Sequence, residues 1–175
     1  LLTLKAPKVE KVAETISAEN IIDTSIKSVK DIKLGKILDA KIKGVKKNQL
    51  NIILADNVHG RVDISEVFDN YNDIKDKKHP LSHYKANDKV RVKIIGHHDL
   101  KSHKSLPITH NFVKGTVFEL TMKPSQLKSK DVKELDIRDI TVGDEIIAFV
   151  NNYQNSTLWL TVTPTIKAKL SIFDL

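Results

Sequence analysis

The stretch HGRVDISEVF, residues 59–68, decides the fold. A glycine at position 60 introduces Val62 and Ile64 at alternate positions, with Asp63 between them and Ser65 after them. Side chains of a strand point to opposite faces in turn, so Val62 and Ile64 share one face and Arg61 and Asp63 the other. The polar pair Asp63 and Ser65 also suits a reactive site. Whether the pattern recurs separates the two readings.

It does recur, at an offset of 108 residues. His59-Gly-Arg-Val-Asp-Ile64 maps onto Lys167-Ala-Lys-Leu-Ser-Ile172. At the same offset Asp31-Ile-Lys-Leu-Gly35 falls on Asp139-Ile-Thr-Val-Gly143. Leu38, Ala40 and Ile42 fall on Ile146, Ala148 and Val150, and Leu50, Ile52 and Leu54 fall on Leu158, Leu160 and Val162. An unbroken offset across two period-two triplets and their turn marks a structural repeat. The opening stretch is therefore the third strand of a repeated module. A second likeness joins Leu2-Thr-Leu-Lys-Ala-Pro7 to Leu120-Thr-Met-Lys-Pro124-Ser, so that Leu1 to Lys5 is expected to close a preceding module.

The expected organisation is a closing strand at 1–12, a linker with a short helix or strap at 13–30, and one complete module at 31–125. A linker at 126–138 and the first three strands of a following module at 139–175 complete it. The sequence thus reads as a window from a longer tandem array, because neither terminal piece buries a sheet face alone. Within the complete module, strands are expected at about 35–45, 49–55, 59–64, 88–96 and 116–122. Asp56-Asn57 is a turn, and Ser65 is expected to cap a short helical turn in the irregular connection 65–87. Pro80 argues against a continuous helix there. Five short strands around one small core predict an all-β, partly open Greek-key barrel of the OB type.

Charge is localised. The net +7 of the 175-residue chain resides in residues 31–125, which hold eighteen Lys and Arg against eleven Asp and Glu. Such a field favours polyanions, and nucleic acid ahead of a membrane surface, because no basic amphipathic helix accompanies it. The chain has no cysteine, which removes disulfides, thiol catalysis and thiolate metal sites. No apolar run is long enough to span a bilayer. His97, His98, His103 and His110 with Asp99 lack metal-ligand spacing, and Asp69, Asp73 and Asp76 read as solubilising residues. No phosphate-binding glycine loop or nucleophile elbow is present. Neither catalysis nor a cofactor or metal is expected.

Gly35 before the first strand, Leu50-Asn-Ile-Ile-Leu54, Gly60-Arg-Val-Asp-Ile-Ser65, Asn87-Asp-Lys-Val90 before the fourth strand and Leu120-Thr-Met-Lys at the exit together resemble the S1 RNA-binding domain family, an OB-fold family. The resemblance spans essentially the whole chain, as one full and two partial domains. The arrangement resembles large multi-S1 scaffolds of the eukaryotic nucleolus that process ribosomal RNA precursors. It implies RNA association in the nucleus, with assembly proteins and neighbouring S1 domains as further partners.

Family members place two outward aromatics around strand two and a histidine on strand three. Those places fall on Asn48, Asn51 and Asp63 here. Asn hydrogen-bonds bases but supplies no stacking. In the following module the places fall on Ser156 and Trp159, and alternation turns Trp159 outward, where it either stacks a base or inserts into a neighbouring domain. Lys41, Lys43, Lys89, Arg91 and Lys93 are read as outward on strands one and four. Lys46, Lys47, Arg61 and Arg91 form the preferred phosphate-contacting set. The long loop 96–117 either orders on a partner or is plain surface. Three functions remain open: an RNA-associated scaffold, a protein-interaction or spacer array, and an RNA-binding appendage of a nuclease or translation factor.

Overall fold

A computed structural model describes residues 22, 23, 26, 31–56, 58–98, 117–132 and 135–174. The expected closing strand at 1–12 lies outside them, as do most of the 13–30 linker and of the loop to residue 116. Five strands, β1 (Ile37–Lys46), β2 (Gln49–Ala55), β3 (Val58–Asp63), β4 (Lys89–His98) and β5 (Val117–Thr121), form a closed barrel in the order β1-β2-β3-β5-β4, with β4 returning to β1. β1–β2, β2–β3, β1–β4 and β4–β5 are antiparallel, whereas β3 and β5 run parallel. The barrel is closed rather than partly open, so none of its strands is left with an unpaired edge.

The predicted inward residues fill it. Leu38, Ala40, Ile42, Leu50, Ile52, Leu54, Val62, Ile64, Val92, Ile94 and Leu120 are all buried. Gly60 has a specific cause. A Cβ there would come within 2.5 Å of Leu120 Cδ1 and 3.1 Å of the Phe118 carbonyl oxygen, because β5 runs against this point of β3. The glycine of the opening stretch is what lets the barrel close.

The turn after β3 is a 3-10 turn at Ile64–Glu66, and its cap differs from expectation. Asp63 is the cap: its Oδ1 accepts from the Ser65 backbone N–H at 3.0 Å and from Ser65 Oγ at 2.7 Å. Ser65 already lies inside the turn, while the carboxylate one position before it reaches both donors. The Glu66 carbonyl accepts from Met122 N–H, which ties the turn to the end of β5.

Lys93 is the clearest correction on strand four. It was expected outward and solvated, yet it is 0% exposed. A short helix, α1 (Pro124–Lys128), and the residues after it cover that side of β4. Lys93 Nζ donates to the carbonyls of Gln126 (3.1 Å), Ser129 (3.1 Å) and Asp131 (2.7 Å). The ammonium thus satisfies carbonyls that a helix end leaves open. At the other end of α1, Asp69 accepts from Ser125 N–H at 2.8 Å, so this acid is a fastening and not merely a solubilising residue. From the 13–30 linker, Ile26 is fully buried in the barrel's core cluster.

Three further strands, β6 (Phe149–Gln154), β7 (Thr157–Thr161) and β8 (Lys167–Ser171), form a separate sheet. Its pairing reproduces β1–β3 residue for residue, except that Ala55 opposite Val58 and the shift before it have no counterpart. Lys41 opposite Ile53 becomes Phe149 opposite Thr161, Gly44 opposite Asn51 becomes Asn152 opposite Trp159, and the bulge between Ile42 and Gly44 recurs between Val150 and Asn152. Leu50 opposite Val62 becomes Leu158 opposite Leu170. A 3-10 turn at Ile172–Asp174 follows, and Gly35 and Gly143 both have positive φ, 80° and 101°. One difference has a direct cause. In β1, residues 37–41 pair with β4, and the equivalent 145–148 is not strand, having no such partner among the described residues.

Candidate nucleic-acid interface

Two surfaces of the barrel compete for the role. The first is the outer face of β2 and β3, where Asn51 and Arg61 were expected to meet RNA and Asp63 stands at the family's histidine place. It is occupied by the protein itself. Arg61 is 2% exposed and its Nε donates to Glu119 Oε1 in a buried ion pair, which corrects the expectation of a solvated phosphate contact. Alternation places Arg61 off the core, but β5 brings Glu119 opposite it, and the pair is covered. Burial raises the Glu119 carboxyl to about 7 against the pull of the Arg61 guanidinium. Gln49 Nε2 donates to Asn51 Oδ1 at 2.6 Å, and Asp63 is buried in its cap.

The second sheet approaches this face. Lys167 of β8 is half-buried, and burial lowers its pKa while Asp63 and Glu119 pull it up and Arg61 pushes it down. Its Nζ donates to Thr161 Oγ1 at 3.1 Å. Asn48 Nδ2 donates to Asn151 Oδ1 of β6 at 2.9 Å, so the first aromatic place of the family is here a bond between barrel and sheet. Phe149 joins the core cluster and lies 6.5 Å from the Phe68 ring.

The second surface is a cleft of about 720 Å³ between the barrel and the start of the second sheet. One wall is the β1–β2 turn, with Lys46 and Lys47 exposed, and the connection after β3, with Tyr71, Lys77, Lys78 and His79. The other is Ile147 to Val150. No Asp or Glu is among its lining residues. The connection is held by its own side chains. Asp73 Oδ2 accepts from Asn70 N–H at 3.1 Å, and Asp76 Oδ1 accepts from the N–H groups of Lys78 (2.9 Å) and His79 (3.1 Å). These backbone bonds lower the Asp76 carboxyl. Tyr71 is 52% exposed, and Lys77 Nζ sits 4.1 Å from its ring centroid.

Of the sequence-predicted residues, Lys46, Lys47 and Asn48 line this cleft together. Arg91 does not: it is exposed on β4, 3.9 Å from Asp39 across the β1 pairing. Asn51 and Arg61 belong to the covered face. Trp159 lies on the second sheet, 45% exposed and opposite Lys169. Tyr71, Lys77, Lys78 and His79 were missed, although basic residues interleaved with an aromatic in Tyr71-Asn-Asp-Ile-Lys-Asp-Lys-Lys-His79 were a readable signal. Among the described residues, no group of three His, Asp or Glu is placed to hold a metal ion. His103, His110 and Asp99 lie outside them.

The family model described as "Protein RRP5 homolog-like, OB domain" matches residues 17–127. The chain belongs to that family. It is 40% identical over 176 residues to "rRNA biogenesis protein rrp5" of Schizosaccharomyces pombe, covering 97% of this chain and 10% of that protein. It is 29% identical over 131 residues to "Protein RRP5 homolog" of Mus musculus, covering 69% of this chain and 7% of that one. The chain therefore spans a tenth or less of the length of these relatives. Among solved structures, "Solution structure of GSP13 from Bacillus subtilis" is similar over 61% of this chain and 66% of its own, with 22% identity and a TM-score of 0.38.

Proposed function

We propose that this chain is a non-catalytic, RNA-associated segment of a multi-S1 scaffold that acts on ribosomal RNA precursors in the nucleus and nucleolus. On this reading β6–β8 open a second S1 domain, and ribosome-assembly proteins and neighbouring S1 domains are its further partners. The relative named for ribosomal RNA biogenesis supports the setting. The observation that carries RNA contact is the cleft with Lys46, Lys47, Lys77 and Lys78 and no carboxylate on its walls. Phosphates neutralised there release counterions, so binding is salt-dependent by about 0.7 in log–log slope per single-strand phosphate.

The test is a salt titration of a fluorescein-labelled oligouridine against the intact chain, and against one with Lys46, Lys47, Lys77 and Lys78 changed to Ala. Weaker binding and a shallower slope in the variant are expected. No affinity at low salt in the intact chain overturns the reading. Trp159→Ala is a separate arm: loss of a stacked base costs about 1–3 kcal/mol in oligouridine binding. The second reading, a protein-interaction or spacer array with little direct RNA contact, is favoured by the covered β2–β3 face. It predicts little or no oligouridine binding by the intact chain even at low salt.

A further inference from the structure

The family's stacking places are taken up in this barrel by Asn48, bonded to the second sheet, and Asn51, bonded to Gln49. A base on that face would also meet the Arg61–Glu119 pair and the Asp63 cap, all buried. The exposed aromatic beside the basic residues is instead Tyr71, in the connection between β3 and β4. We infer that Tyr71 is the base-stacking platform of a single-stranded RNA path running through the cleft between the barrel and the second sheet. This rests on the RNA-contact reading above and adds to it the residue and the strandedness.

Tyr71 is suited to the task by its mounting. It opens a 3-10 turn (Tyr71–Asp73) preceded by Asn70, whose backbone N–H and Nδ2 both donate to Asp73 Oδ2, at 3.1 and 3.4 Å. Ile74, directly after the turn, is buried in the core cluster and anchors it. The ring is thus presented to solvent on a fixed base, and little ordering remains when a base arrives. Lys77 over the ring marks a face that already accepts a cation. A nucleotide supplies both a flat π face for the ring and a phosphate for the displaced ammonium, so one ligand satisfies both groups.

The opposite wall is apolar, with Val150 49% exposed and Val45 on the near rim also exposed. A volume of about 720 Å³ lies within the range of about 300–1,000 Å³ typical of small-molecule pockets, room for a nucleotide or two. Duplex bases keep their faces stacked on one another, and only an unpaired strand can offer one to Tyr71.

The experiment compares the intact chain with Tyr71→Ala, Tyr71→Phe and the double variant Lys46→Ala, Lys47→Ala. The probes are a labelled oligouridine and an RNA hairpin stem of equal phosphate number. Tyr71→Ala is expected to weaken oligouridine binding about tenfold with an unchanged salt slope and to leave the stem unaffected, while Tyr71→Phe keeps intact affinity. The double lysine variant should weaken both RNAs and flatten the slope. Equal oligouridine affinity for Tyr71→Ala and the intact chain overturns the inference while a loss in the lysine variant leaves RNA contact standing. Weakening of both RNAs alike by Tyr71→Ala also overturns it, since a non-specific disturbance and not stacking is then the cause. Absence of any RNA binding by the intact chain overturns the RNA reading and this inference together.

Discussion

The barrel's β1–β3 and the second sheet's β6–β8 share one pairing register, one bulge and one following turn, yet their faces meet different surroundings. Ile42 is fully buried and its counterpart Val150 is 49% exposed. Outside, the barrel's Asn51, Arg61 and Asp63 are held by Gln49, Glu119 and Ser65, whereas Trp159 and Lys169 face solvent. The same turn chemistry and alternation go with the same register in both. In the barrel, β4, β5 and the approach of the second sheet supply the burial and cover the outer face.

The largest break in this comparison is at Arg61 and Lys169, which occupy equivalent positions. Arg61→Leu leaves Glu119 buried without its guanidinium and should cost about 3–5 kcal/mol of unfolding free energy in urea denaturation. Lys169→Leu, on the open counterpart, should stay within about 0.5 kcal/mol. Similar small losses at both sites would mean that the ion pair is not what distinguishes the two faces.

The covered face of the barrel also carries a pH dependence, through Glu119. Burial raises Glu119 from 4.5 to about 7 in the folded chain, so between these values the native state binds more protons than the unfolded one. Stability from this group is therefore greatest below about 4.5, falls as pH rises through the window, and levels off above about 7. The total is on the order of 3 kcal/mol at ~1.4 kcal/mol per pKa unit. Glu119→Gln should flatten the decline between about pH 5 and 7. Glu66, also raised by burial and beside Lys123, leaves a smaller residual slope. An unchanged profile in Glu119→Gln would assign the decline elsewhere.

The core was legible in the sequence because strand side chains alternate whatever their surroundings, so the two apolar triplets and their offset of 108 marked the strands and their inward residues. Alternation tells only that a residue points away from the core and says nothing of what covers it. Lys93 lay on the outer side as read, but α1 and its following carbonyls close over it, and Arg61 met Glu119 from a strand far along the chain. The cleft was illegible for the same reason. Tyr71 and Lys77 are adjacent on one connection, while its other wall, Ile147 to Val150, comes from the start of the second sheet. Lys46 and Lys47 are exposed as read, because turn position alone exposes them.

The smallest contrast is at the glycine of the opening stretch. Gly60 and Ala168 are equivalent, and Ala168 carries its Cβ in a sheet where no described strand pairs with the free edge of β8. In the barrel the same Cβ would press on Leu120 Cδ1 and on the Phe118 carbonyl oxygen; the leucine can rotate but the backbone oxygen cannot. Gly60→Ala should therefore cost about 1–3 kcal/mol, read in urea denaturation, and hydrogen exchange should rise in β3 and β5 before β1. Ala168→Gly should cost no more than the loss of one small side chain from a strand, under about 1 kcal/mol. No loss of stability in Gly60→Ala would show that the barrel accommodates the Cβ, and that the approach of β5 is not why glycine stands at 60.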